Sequence, residues 1–283
     1  MMRKLTAALS ISMFVLNTLF VSAPIYLLAL LRALLPVAGW RRLCDGGMAR
    51  LGELWIDVNR VNMALTQRIT WDIQLPEGLS PQSSYLVISN HRSMIDIPAL
   101  QSVLNHKIPV LKFFLKHSWI YVPVLGGVWW SLGFPFMRRY TKEQRERDPR
   151  IKGSDLDRTK QACAKFRGRP TTILNYLEGT RWTEKKHREK ESVYRNLLPP
   201  KAGGIAGVIA EMGEHLAGVL DVTVWYEPRR PVRQVELMDL FSGNLRRVIV
   251  RARLLQIPQD LLGGDYEGDP EFRKRFQDWV NGI

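Results

Sequence analysis

From Leu5 to Leu31 the chain carries no charged side chain, and after Arg32 the run from Ala33 to Trp40 is apolar again. A bilayer's hydrocarbon core needs ~20 apolar residues in a helix, so this segment is long enough to cross one. Arg3 and Lys4 give it the basic start of a secretory signal. Signal cores run only roughly 7–15 residues, however, and no small-residue cleavage site with a polar sequel follows. Residues 1–40 are therefore expected to be an uncleaved membrane anchor, and residues 41–283 the functional domain. Pro24 lies inside the run, which leaves two geometries open: a kinked spanning helix, or a re-entrant pair of short helices. Arg32, Arg41, Arg42 and Arg50 follow the anchor, so the positive-inside bias puts the domain on the cytoplasmic side. The expected location is a bacterial-type inner membrane.

The formal net charge is +14, from 41 Lys and Arg against 27 Asp and Glu. Such an excess calls for an anionic partner. Anionic membrane lipid meets that need, because basic residues beside an anchor each gain ~1 kcal/mol at such a surface. Nucleic acid is not expected as a partner, since no basic stripe with interleaved aromatics and no recognisable module occurs, and a basic membrane-anchored nucleic-acid-binding protein is the non-enzyme alternative that the charge alone suggests. Cys44 and Cys163 stand far apart, which excludes a disulfide framework and a four-cysteine zinc site. His91, Asp96, His106 and His117 fit no recurring metal-ligand spacing, so no metal is expected. No G-x-S-x-G elbow is present, and Ser93 reads as a helix cap rather than a nucleophile.

Beyond the anchor, a helical stretch over Leu43–Ile69 leads to β-rich apolar runs at Tyr85–Ser89, Ile108–Phe114, Leu132–Met137, Thr171–Leu177, Val219–Tyr226 and Arg247–Leu254. Helix-compatible stretches separate them, at Met94–Leu104, Leu156–Phe166 and Ala206–His215, and Asp269–Val280 reads as an amphipathic closing helix. This alternation predicts an α/β fold with a mostly parallel central sheet flanked by helices.

In open α/β sheets functional groups gather beyond the carboxyl ends of strands. Two exits carry polar clusters: Asn90-His91-Arg92-Ser93-Met94-Ile95-Asp96, and Glu178-Gly179-Thr180-Arg181. If their strands are parallel, the clusters share one rim. Ser93-x-x-Asp96 is a capping-box pattern that predicts a helix from Met94. On spacing alone, Ser93 and Asp96 read as caps and His91 as a loop residue. The functional alternative folds His91 back so that one ring nitrogen meets the carboxylate, leaving the other as a general base. The second cluster reads either as a surface turn with an ion pair or as an anion clamp. In the clamp Arg181 meets phosphate oxygens and Gly179 admits close backbone approach.

Together these clusters resemble the membrane-bound glycerolipid acyltransferases, and within them the PlsC-type 1-acyl-glycerol-3-phosphate (lysophosphatidate) acyltransferases. Lys116, Pro123, Gly126 and Phe134-Pro-Phe-Met-Arg138 are similar to the family's intervening motif, with Met137 where an acidic residue is usual. Leu197–Gly203 and Leu220–Tyr226 resemble the lysocardiolipin-type branch, which commonly has an arginine where Pro200 or Lys201 stands. The likeness runs from Tyr85 to Tyr226. It implies acyl transfer from acyl-CoA or acyl carrier protein to the sn-2 hydroxyl of a lysophospholipid, without a cofactor. His91 is then the base and Asp96 its orienting partner. Glu178, Gly179, Thr180, Arg181, Arg138, Lys116 and Lys201 bind substrate. Backbone N–H groups near Ser93 are the expected oxyanion donors. Lysophosphatidylglycerol and lysocardiolipin are the alternative acceptors.

Overall fold

The computed structural model describes residues 2–137, 147 and 154–283. Its first element is one continuous helix, α1 (Met2–Leu34), which runs through Pro24. At 1.5 Å per residue it is roughly 50 Å long. The chain reverses at residues 35–37, not at Pro24, and α2 (Ala38–Thr66) returns along α1. Polar side chains stitch the pair together. Asn62 Nδ2 donates to the Ser10 carbonyl at 2.9 Å, Asn17 Nδ2 donates to Asn59 Oδ1 at 3.1 Å, and Trp55 Nε1 donates to Thr18 Oγ1 at 3.0 Å. The face of α1 turned away carries Leu5, Leu16, Phe20, Leu27 and Leu34, all exposed. Among the described residues, Lys4–Leu34 is the helical stretch long and apolar enough to cross a membrane.

The strands in chain order are β1 (Thr70–Gln74), β2 (Ser84–Ser89), β3 (Leu111–Phe113), β4 (Leu115–Lys116), β5 (Phe136–Met137), β6 (Thr172–Tyr176), β7 (Leu216–Pro228) and β8 (Leu245–Leu255). Six form one sheet in the order β1-β8-β7-β2-β6-β3, and β4 with β5 makes a separate two-stranded ladder. All pairings in the main sheet are parallel except β7 with β8. The mostly parallel sheet read from the sequence is what forms. Helices α3 (Asp96–Leu104) and α4 (Leu125–Ser131) follow β2 and β4, and α5 (Ser154–Ala164) precedes β6. Helices α6 (Glu184–Glu189) and α7 (Gly203–Met212) follow β6, α8 (Leu237–Phe241) joins β7 to β8, and α9 (Pro270–Asn281) closes the chain.

β2 is buried on both faces, as its uninterrupted apolar sequence requires. Tyr85 and Val87 pack with Leu100 and Leu104 of α3 on one side. Leu86 and Ile88 pack with Ile205 and Ile209 of α7 and Phe272 and Phe276 of α9 on the other.

The structure departs from the sequence reading at two strands. The run Leu132–Met137 is not a strand of the main sheet, and only its last two residues, Phe136–Met137, are strand, as β5. The run opens with the end of α4, where Gly133 sits at φ 77° and the Phe134 and Gly133 N–H groups bond the Trp129 and Trp130 carbonyls. That is a Schellman stop, which an L side chain at Gly133 would strain. Conversely, β1 was not anticipated, because Thr70-Trp-Asp-Ile-Gln74 is a short, half-exposed edge strand without an apolar run. Trp119 and Trp129 pack against the core, and of the tryptophans in this middle segment Trp130 is exposed.

Lys112 of β3 lies over the Phe166 ring, 4.5 Å from its centroid, and burial pulls its ammonium down to about 8. The unfolded chain keeps that proton up to the ordinary lysine value of 10.5. Between about 8 and 10.5 the unfolded state therefore binds more protons, and the site adds stability as pH rises. Lys112→Met is expected to raise the thermal midpoint below pH 8, with the advantage over wild type fading toward pH 10.5. Melts across that range check it.

Candidate active site

β2 and β6 are adjacent and parallel, with Ser89 opposite Tyr176, so the two polar clusters leave the same rim. β7 flanks β2 on the other side and extends past its end. The Asn90 side chain continues the ladder there, donating to the Val224 carbonyl at 2.9 Å and accepting from the Val224 N–H at 2.8 Å. Alternation along β7 then puts Tyr226 on the same inward face as Val224.

His91 does fold back. Its Nδ1 lies 2.8 Å from Asp96 Oδ2, in the first turn of α3, and the Asp96 carboxylate is fully buried. The same oxygen accepts the N–H groups of Arg92 at 2.7 Å and Ser93 at 3.0 Å, while Oδ1 accepts the Tyr226 hydroxyl at 2.6 Å. With each of the carboxylate's partners among the described residues a donor, Nδ1 carries the proton and Nε2 is the nitrogen left to accept one. The imidazole stacks on Tyr176, with centroids 3.9 Å apart and planes 10° apart.

This geometry revises two expectations. The helix begins at Asp96, not Met94, because Ser93 Oγ accepts from the Ile95 N–H and the Asp96 side chain gathers the preceding N–H groups. The Arg92 and Ser93 N–H groups are therefore committed to Asp96, and they are not the oxyanion donors the sequence suggested.

Glu178 is only 2% exposed, and its oxygens accept the His91 N–H at 2.7 Å and the Leu198 N–H at 2.9 Å. Burial pushes its carboxyl above the usual range, opposed by those two bonds and by the nearby cations. It thus braces two loops against each other. Gly179 holds φ 65° in the turn that follows, and the Lys201 side chain lies across it, with Cδ 3.3 Å from where a Cβ would stand. Lys201 N–H donates to the Leu177 carbonyl at 2.8 Å, and Trp182 N–H to the His91 carbonyl at 2.7 Å. Thr180 Oγ1 accepts from Lys186 Nζ at 2.7 Å, and Arg181 is exposed with no carboxylate partner among the described residues.

Lys116 is exposed on β4, opposite Met137 of β5, so it borders the residue preceding Arg138. Arg138 itself lies outside the described residues.

Sequence reasoning missed several members of the rim. Tyr176 and Tyr226 contact the dyad directly. Arg92 is held between Trp182 at 4.2 Å and Trp225 at 5.0 Å, and burial lowers its guanidinium. Lys186 caps the Thr180–Arg181 turn. Tyr226 was within a quoted segment, but its inward aim depends on the β7 register. No local sequence pattern encodes that register.

An imidazole held by a buried carboxylate on the carboxyl rim of an α/β sheet, beside a cationic turn, is a class of arrangement whose free ring nitrogen can accept a proton. Comparison with known proteins gives this class its family. A family model described as Acyltransferase matches residues 71–227, which include both clusters. The chain belongs to that family. A probable 1-acyl-sn-glycerol-3-phosphate acyltransferase 5 of Arabidopsis thaliana is 26% identical over 186 residues, covering 61% of this chain and 46% of that protein. The human 1-acyl-sn-glycerol-3-phosphate acyltransferase delta is 24% identical over 186 residues, covering 62% and 47%. The chain thus spans about half the length of these curated relatives. The crystal structure of the 1-acyl-sn-glycerophosphate acyltransferase PlsC from Thermotoga maritima overlaps 95% of this chain and 94% of that one, at 14% identity and a TM-score of 0.45.

Removing the Glu178 carboxylate leaves two buried N–H groups without acceptors, each costing roughly 1–3 kcal/mol. Glu178→Ala is expected to lower the melting midpoint by roughly 5 °C or more. Glu178→Gln, which retains one acceptor oxygen, should fall between it and wild type. Differential scanning calorimetry distinguishes the three.

Proposed function

We propose that this protein transfers a fatty acyl group from a thioester donor, acyl-CoA or acyl carrier protein, to the sn-2 hydroxyl of lysophosphatidate, giving phosphatidate. The observation that carries the reading is the 2.8 Å contact between His91 Nδ1 and the buried Asp96 carboxylate, on a rim that also bears Arg181 and Lys201. A hydroxyl is a weak nucleophile at neutral pH and needs a base on its proton. Nε2 of His91 takes that proton while the hydroxyl oxygen bonds the thioester carbonyl carbon. The tetrahedral intermediate then expels the thiolate as the C–S bond breaks, and the imidazolium returns its proton to the leaving sulfur. Donor and acceptor balance, so no cofactor enters. Asp96 holds the ring and stabilises the imidazolium formed on the way.

Arg181 and Lys201 supply charge for the acceptor's phosphate, and Gly179, which has no side chain, lets Lys201 lie across the turn. Lys116, with Arg138 beside its ladder partner, is assigned to the same anion. The names of the relatives favour lysophosphatidate over lysophosphatidylglycerol or lysocardiolipin as the acceptor. The exposed apolar face of α1 supports insertion in a membrane, with anionic lipid against Arg41, Arg42 and Arg50 and the site on the cytoplasmic side. An acceptor that lives in lipid then reaches the site without being extracted.

The test is an acceptor panel with labelled oleoyl-CoA, repeated with the acyl-loaded carrier protein, using membranes that contain wild type or His91→Ala. Lysophosphatidate should be the preferred acceptor. His91→Ala should lose roughly two to four decades of turnover. Preference for lysophosphatidylglycerol or lysocardiolipin would move the assignment to that acceptor. Near-native transfer by His91→Ala would remove the mechanism altogether. Arg181→Ala is expected to raise the acceptor KM by on the order of tenfold, as loss of a charge-assisted contact does, with a smaller change in kcat. Steady-state kinetics in mixed micelles reads both.

A further inference from the structure

The dyad does not stand alone. One tyrosine lies under each half of it, and neither belongs to the two rim clusters. Tyr226, from β7, donates its hydroxyl to Asp96 Oδ1 at 2.6 Å, the oxygen that His91 does not use. Tyr176, the last residue of β6, lies flat against the imidazole, 3.9 Å away and 10° from parallel. Each reaches its place by strand register: Tyr176 stands opposite Ser89 at the end of β2, and Tyr226 lies two residues past the Val224 that Asn90 clamps. We infer that Tyr226 and Tyr176 are positioning residues that set the basicity of His91 in opposite senses, one through the carboxylate and the other through the ring face. The inference rests on the reading of His91 as the base and adds to it the groups that tune it.

The senses follow from elementary electrostatics. A hydroxyl bonded to Asp96 Oδ1 draws negative charge away from the oxygen that faces His91, so it weakens the pull of the carboxylate on an imidazolium. It also occupies the second oxygen and prevents rotation of the carboxylate away from Nδ1. The hydroxyl is fit for this because burial, and then the Asp96 charge, hold its ionisation well above 10, so it remains a donor at any working pH. Tyr176 acts the other way. The face of an aromatic ring is electron-rich, and a parallel imidazole gains more from it charged than neutral. Burial keeps the Tyr176 phenol protonated too.

Among the described residues, the other charged groups beside the ring are bonded. Glu178, from the turn after β6, is bonded to the His91 and Leu198 N–H groups. Arg92, on the same loop as His91, is held between Trp182 and Trp225 and donates to the Asn196 carbonyl at 3.1 Å. Asp96 and Tyr226 complete the set that faces the dyad from α3 and β7.

The test follows the His91 imidazole by NMR in the detergent-solubilised full chain, its resonance assigned by loss in His91→Gln, across pH 5 to 9. The acid limb of kcat/KM is recorded beside it. Tyr226→Phe keeps the ring and removes only the hydroxyl. It should raise the titration midpoint of His91, relative to wild type, by roughly half to one unit, the size of one altered hydrogen bond to the partner charge. The acid limb of kcat/KM should move with it. Tyr176→Leu keeps the site apolar and removes the ring face, and it should move the midpoint down. A purely structural role predicts lower stability in both variants with the midpoint unmoved, and that result overturns the inference. So does a shift of the two variants in the same direction. If Tyr226→Phe does not fold, the sign of the Tyr176→Leu shift decides alone, an upward or absent shift being the contrary result. The NMR midpoint is independent of turnover. If it moves as expected while His91→Ala retains activity, the tuning stands and the catalytic reading of His91 falls.

Discussion

A single carboxylate organises this site. Asp96 is fully buried, and it accepts the imidazole N–H of His91, two consecutive backbone N–H groups and the hydroxyl of Tyr226. A buried charge is tolerated only when it is paired and hydrogen-bonded, and here four donors share it. The same bonds that satisfy the charge also bend the chain from β2 into α3. The loop therefore cannot relax without exposing an ion to an apolar interior. The geometry of the His91–Asp96 pair and the local folding are one constraint.

Three strands converge on that constraint from different parts of the chain. β2 delivers His91, β6 delivers Tyr176 and the Glu178 turn, and β7 delivers Tyr226. Glu178 welds the β2 exit to the segment around Leu198, and Trp182 N–H bonds the His91 carbonyl, so the rim is cross-braced by backbone contacts. The cations then fall on one side of it: Lys201 over Gly179, Lys186 on Thr180, and Arg181 exposed. The helix pair α1–α2, joined internally by Asn17, Asn59 and Asn62, packs on α3, α4 and α8 and leaves an apolar face of α1 exposed. A substrate that is half headgroup and half hydrocarbon suits a molecule divided in this way.

Much of this was legible before any coordinates. Apolar runs of strand length separated by helical stretches gave the parallel sheet, and the position of two polar clusters after two such runs gave the shared rim. The capping pattern around Ser93 and Asp96 was half right. Asp96 does gather the N–H of Ser93, but it also takes that of Arg92 and the ring of His91, which spacing alone does not specify. Glu178 reads as a surface acid beside Arg181, yet it is buried, because its acceptors' partners come from His91 and Leu198, both distant in sequence. Tyr226 and Tyr176 were invisible for the same reason: which side chain meets the dyad depends on register across three strands. The β1 edge was missed because Asp72, which binds Arg247 and Arg251 of β8, disguises the strand as a polar linker. Local pattern encodes elements, and long-range register encodes their chemistry.

The central claim is that the acceptor's own hydroxyl attacks the thioester, activated by His91, with no acyl group carried on the protein. Isotope exchange tests it most directly. The enzyme is incubated with oleoyl-CoA and labelled free CoA in the absence of any acceptor, and label in the recovered oleoyl-CoA is counted. Direct attack predicts no enzyme-dependent exchange until an acceptor is present. Exchange without acceptor would mean that the thioester is cleaved onto an enzyme nucleophile, and the account built on Asp96 and His91 would be contradicted.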